Sequence, residues 1–170
     1  MASGLNLTTS TVLTNMAAES WIELMAAYGV DLAVAGWGWQ ADDEEAKMFG
    51  VIGFSGKGVR ATCLIGAEQR LVEASCRARG RPRDWISELA NQLVGRVKMK
   101  LVSHGVSVTM TTPLALSGVR VTPLPRMGGD PVAFNSHHGA ALLWLETETD
   151  EQFVLSPARP LSVEPGDLVF

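Results

Sequence analysis

Glu88 and Asn91 place a carboxylate and a carboxamide three residues apart, and on a helix that spacing makes them surface neighbours. An ionised carboxylate only accepts hydrogen bonds, most strongly from cations. A carboxamide both donates and accepts, and it does so without ionising. Together the two side chains can grip one external target. Neither needs a nucleophile or a metal beside it. The plainer alternative is that exposed Glu and Asn simply solvate a helix surface.

Other candidate chemistry is poor. Gly53-Phe-Ser-Gly-Lys-Gly58 looks phosphate-like, but a phosphate loop needs four residues between its glycines and Ser or Thr after the lysine. It reads as a hairpin turn. Ser55 lacks the second glycine of a nucleophile elbow, because position 57 is lysine. His104, His137 and His138 fall in no metal-ligand spacing, and no C-x-x-C occurs. Cys63 and Cys76 are too few for a disulfide framework and read as buried small hydrophobes. The five tryptophans, Trp21, Trp37, Trp39, Trp85 and Trp144, lie in apolar segments and are expected to pack.

The Glu-Asn pair needs a helix to hold it. Pro82 is suited to a first helical position, and Asp84 adds negative charge where the helix dipole favours it. At about 100° per residue, Ile86, Leu89, Ala90, Leu93, Val97 and Leu101 form one apolar arc. Asp84, Glu88, Asn91, Gly95 and Lys98 share the opposite sector. Gly105 ends this helix as Gly29 ends an earlier one, expected over 11–27 with Thr9 or Ser10 as its cap.

A strand follows each helix, at 30–35 and at 106–110. Aligning Gly29 on Gly105 superposes Val30, Leu32 and Val34 on Val106, Val108 and Met110, Asn15 on Asn91 and Val12 on Glu88. Each half then adds a hairpin. The first joins 47–54 to 59–65 around Ser55-Gly-Lys-Gly58. The second is expected to join 140–146 to 152–155 around 147–151. Between the halves lie a short helix, 67–78, and a basic link with arginines at 77, 79, 81 and 83, read as a solvated loop. The proline-bearing tail from Ser156 reads as an edge segment or loop.

Composition fits one domain over 1–170: the length suits a single core, with 46% apolar and 19% charged residues. A net charge of −4 disfavours a nucleic-acid partner. No apolar run is long enough to span a bilayer, and residues 1–10 lack the features of a secretory signal. A cytoplasmic location is the expectation.

The run Asp84-Trp-Ile-Ser-Glu88-Leu-Ala-Asn91-Gln-Leu-Val-Gly95 resembles the signature of the CheX/CheC chemotaxis phosphatases, in which an aspartate, E-x-x-N and a glycine lie on a long helix. A proline follows the family's asparagine by a little over twenty residues, and here Pro113 follows Asn91 by 22. Thr111-Thr-Pro-Leu-Ala-Leu-Ser-Gly118 is similar to the family's proline-to-glycine segment, and Gly50-Val-Ile-Gly-Phe-Ser-Gly56 to its first hairpin. The resemblance is strongest over residues 10–155, with 156–170 a C-terminal extension. The chain departs from the pattern at Gln92, where the family usually has an apolar residue.

The resemblance implies an α/β (α+β) fold: a pseudo-symmetric two-layer sandwich with an antiparallel sheet packed against two long helices. It implies a phosphatase acting on the phospho-aspartate of a CheY-like response regulator in chemotaxis or related two-component signalling. Asn91 would hold the attacking water and Glu88 would bind the receiver's lysine, with Asp84 and Gly95 in partner binding. It implies no cofactor or metal in this chain, Mg²⁺ lying in the partner receiver, and a homodimer as in the CheX branch. Because valine stands where the first helix would need its acid, one site per chain is expected. The alternative is a catalytically silent receiver-binding module of the same fold.

Overall fold

The computed structural model describes residues 8–38, 45–77, 80–121 and 130–158. Expectations for residues 1–10 are therefore met by description only from Thr8, and those for Trp39, Arg79 and the tail beyond 158 lie outside the described residues.

Thr8 caps helix α1, Thr9–Ala27, its hydroxyl accepting from the Thr11 amide at 3.2 Å. The cap thus precedes the two residues expected, Thr9 and Ser10, which are already helical. Gly29, at φ 80°, turns the chain out of the helix, a left-handed conformation that glycine adopts without a Cβ clash. Strand β1 is Ala33–Trp37. The hairpin of β2, Lys47–Gly56, and β3, Val59–Glu68, turns at Lys57-Gly58 with Gly58 at φ 76°. Helix α2, Gln69–Ser75, is shorter than expected. Helix α3, Pro82–Ser103, starts on its proline, with Asp84 in its first turn. Gly105, at φ 77°, follows it. The remaining strands are β4, Val108–Met110; β5, Leu114–Gly118; β6, Val132–Ser136; and β7, Gly139–Thr149.

All strand pairs are antiparallel, and the sheet order is β1-β6-β7-β3-β2-β4, with β5 also on β2. The order is its own reverse when the halves are exchanged, β1 for β4, β2 for β6 and β3 for β7. Each strand that follows a long helix pairs with the hairpin of the other half: β1 with β6, and β4 with β2. Among the described residues β5 has no counterpart. The mixed α/β fold with one antiparallel sheet matches the expected class.

Three expectations are corrected. The second hairpin is β6–β7, turning at His137-His138, where the Ser136 hydroxyl accepts from the His138 amide at 3.0 Å. Residues 152–155 form no strand, because β7 already has β3 on one edge and β6 on the other. The first strand begins at Ala33 rather than Val30: its ladder with β6 ends at the Ala33–Asn135 pair, one residue short of the end of β6 at Ser136. Segment 114–118, quoted above only as part of a motif, is a strand.

Helices α1 and α3 pack side by side, α3 over β2 and α1 over β7. The core between them takes Leu13, Trp21 and Leu24 from α1, Leu89 and Leu93 from α3, and Ile52, Ile65 and Leu143 from the sheet. Gly50 lets α3 lie close against the sheet. A Cβ there would stand 2.7 Å from the Ile86 carbonyl oxygen and 2.9 Å from Ala90 Cβ, too near for any real atom.

Candidate functional site

The inward face of α3 buries Ile86, Leu89, Ala90, Leu93, Val94, Val97 and Leu101, the expected arc with Val94 added. The opposite sector is therefore turned away from the core. Asp84 and Glu88 are exposed, and Asn91 and Gly95 are partly exposed on the same side. A Cβ on Gly95 would meet nothing within 4 Å beyond the neighbouring backbone of its own helix. No packing inside the described chain demands glycine there.

The two polar residues of the pair differ in how they are held. Asn91 makes no side-chain hydrogen bond among the described residues, so its carboxamide is available to an incoming molecule. Glu88 is tied: Gln92 Nε2 donates to Glu88 Oε1 at 2.8 Å, and Tyr28 Oη donates to Gln92 Oε1 at 2.8 Å. Tyr28 caps the C-terminus of α1, so the carboxylate on α3 is referred to the neighbouring helix. Sequence reasoning missed both supports. Gln92 carries a local signal, lying four residues beyond Glu88 on the same helix, but Tyr28 carries none.

On the other flank, α3 packs against β5, and Arg83 Nη2 donates to the Ala115 carbonyl at 3.3 Å. Thr111 fixes the segment before Pro113 to the sheet. Its amide donates to the Gly53 carbonyl at 2.9 Å, and its hydroxyl accepts from the Gly53 amide at 2.9 Å.

The pseudo-equivalent face of α1 is differently equipped. Asn15 is exposed and Val12 is half-buried. Glu23 accepts from Lys100 Nζ at 3.2 Å, and Glu19 lies 3.8 Å from the same ammonium. The acids of α1 thus bridge to α3 and frame no carboxylate–carboxamide pair.

Elsewhere, Cys63 is buried and its thiol is pushed up to about 12 by desolvation, which makes it inert. Cys76 is half-buried. Trp21 is fully buried, but Trp37 is 63% exposed on the edge strand β1, against the expectation that it packs. Of the basic link, Arg77 is engaged: it donates to the Ala27 carbonyl and lies over the Tyr28 ring, while Arg81 and Arg83 are exposed. Among the described residues no three His, Cys, Asp or Glu side chains converge to hold a metal, and no helix is long and apolar enough to cross a membrane.

No family model matches the sequence, and no curated protein does. Solved structures do match in shape. The chemotaxis protein CheX of Vibrio vulnificus superposes with a TM-score of 0.68 at 21% identity, covering 81% of this chain and 99% of its own. A CheC-like protein of Shewanella sp. PV-4 gives 0.67 at 21% identity over 80% and 97% of the two chains. This is the CheX/CheC fold. A more distant bearer of it, CheX of Borrelia burgdorferi, solved as a CheX–CheY–BeF₃–Mg²⁺ complex, gives 0.50 at 10% identity over 77% and 97%. In the CheX/CheC fold of this chain, α3 presents the Glu-Asn pair outward from the helical layer.

Proposed function

We propose that this chain is a phosphatase for the phospho-aspartate of a CheY-like response regulator, acting in chemotaxis or a related two-component pathway in the cytoplasm. The observation that carries the reading is the Glu88–Asn91 pair on the outward side of α3, with the Asn91 carboxamide unengaged. The CheX/CheC fold supports it by analogy, and so does the CheY partner of the Borrelia CheX. Asn91 orients a water opposite the leaving carboxylate. As the water attacks phosphorus, the bond to the aspartate oxygen breaks, giving phosphate and a free carboxylate. Such transfer depends mainly on positioning and electrostatics, and Mg²⁺ is the receiver's. Glu88 accepts from the receiver's lysine, and Asp84 and Gly95 border the docked partner. A homodimer is the proposed assembly, supported by Leu114 and Leu116 standing exposed on β5; a one-chain mass by light scattering would remove it.

The test is phosphate loss from an acetyl-phosphate-charged, Mg²⁺-loaded cognate receiver, with and without this protein. Asn91→Ala is expected to lower kcat about 10²-fold with receiver affinity kept. Glu88→Ala is expected to weaken the complex by about 1–3 kcal/mol. A wild-type protein that binds the charged receiver without hastening its decay would sink the phosphatase. The second reading, a silent receiver-binding module, would then stand; it draws on Gln92, whose amide already occupies one oxygen of Glu88.

A further inference from the structure

We infer that Gln92 and Tyr28 are positioning residues that preset the Glu88 carboxylate for a cation on the partner, an inference that rests on the function proposed above. The hydrogen-bond roles in this chain of groups allow only one arrangement. An ionised Glu88 can only accept, so the Gln92 NH₂ must face it. The Gln92 carbonyl then faces Tyr28, whose hydroxyl must donate. Tyr28 thereby fixes the orientation of the amide, and the amide occupies Oε1 of Glu88, leaving Oε2 for an incoming ammonium.

Tyr28 is itself held from several sides. Its ring meets Trp85 edge-to-face, with centroids 4.8 Å apart and planes at 88°, and the Arg77 guanidinium lies 5.6 Å from its centroid. Trp85 Nε1 donates to Ser75 Oγ at 2.9 Å, and this buried hydroxyl donates to the Val72 carbonyl at 2.8 Å. The exposed carboxylate is thus the end of a braced series reaching through α1 to the buried end of α2. A free glutamate would lose its rotamer freedom on docking, and a preset one loses less. The residue that departs from the family pattern, Gln92, becomes the joint of this brace.

Tyr28→Phe keeps the ring contacts and removes only the hydroxyl, and Gln92→Leu keeps the volume and removes the amide. Each is expected to raise the Kd for BeF₃-loaded receiver, and KM for the phosphorylated one, about three- to tenfold. The loss should fall on KM rather than kcat, with Tm lowered by no more than the few degrees that one part-buried hydrogen bond carries. In a Glu88→Ala background, Tyr28→Phe should add nothing. A separate readout needs no partner: the Gln92 side-chain amide signals in ¹⁵N NMR should move in both Tyr28→Phe and Glu88→Ala. Unmoved signals, or Kd values equal to wild type, overturn the positioning role. Wild type that binds the charged receiver yet leaves its decay at the spontaneous rate overturns the phosphatase reading alone, and the Kd comparison still decides the brace.

Discussion

A methyl group added at Gly95 would meet nothing within 4 Å beyond the neighbouring backbone of its own helix, yet glycine inside a helix costs about 0.5–1 kcal/mol relative to alanine. Gly95→Ala is therefore expected to raise stability by about that amount in chemical denaturation. If a receiver docks on this face, the same change should weaken its binding, which calorimetry would read. A variant that is more stable and binds equally well would free Gly95 of any docking role. Asn91 and Leu93 supply the opposite contrast. Asn91 is partly exposed without a hydrogen-bonding partner among the described residues, and Leu93 is fully buried. Asn91→Ala should change stability by no more than about 0.5 kcal/mol, and Leu93→Ala should cost about 2–5 kcal/mol. Equal losses would mean that Asn91 is structural. The outward placing of Asp84, Glu88, Asn91 and Gly95 was legible in the sequence because a long helix fixes every residue's angle once its apolar arc is known. The Tyr28–Gln92 bond was not, since it joins residues 64 apart that no local pattern connects.

At the scale of elements, Gly50 sets how near α3 lies to the sheet, and so where the Glu-Asn pair stands. Gly50→Ala would press a methyl against the Ile86 carbonyl and Ala90, both on the backbone or short of freedom to move. It is expected to destabilise by about 1–3 kcal/mol, seen as a lowered Tm; an unchanged Tm would mean that α3 rides more loosely than its contacts imply. The first hairpin was readable because Ser55-Gly-Lys-Gly58 interrupts two apolar runs. The second misled. Its polar stretch Thr147-Glu-Thr-Asp150 resembles a turn, yet β7 continues through Thr149, which pairs with Val59. Threonine is a good strand former, and the neighbouring strand holds the polar residues in register: Arg60 pairs with Glu148 across the ladder and bonds it through its guanidinium. β6 went unread because it is short and its turn, Asn135-Ser-His-His-Gly139, lacks the glycine-rich signature of the first.

For the whole molecule, the reciprocal pairing of β1 with β6 and β4 with β2 means that each half keeps its own hairpin but depends on the other half to pair the strand after its long helix. The repeat of helix, strand and hairpin was visible in the alignment of Gly29 with Gly105, but not this exchange, because strand partners chosen across halves leave no periodic mark. A fragment of residues 1–77 is expected to show little cooperative unfolding alone and to regain it on mixing with 80–170, by circular dichroism; a cooperative transition in either fragment by itself would contradict the exchange. The same pairing has a consequence during synthesis. Ala33 leaves the ribosome 102 residues before its partner Asn135, which at about 5–20 residues per second is a wait of about 5–20 s. Through that interval the nascent chain carries Val34 and Trp37 on a strand with no neighbour, apolar groups that stay exposed even when folded. Translation speed between β1 and β6 thus sets how long each new molecule is open to misassociation with its neighbours on a polysome.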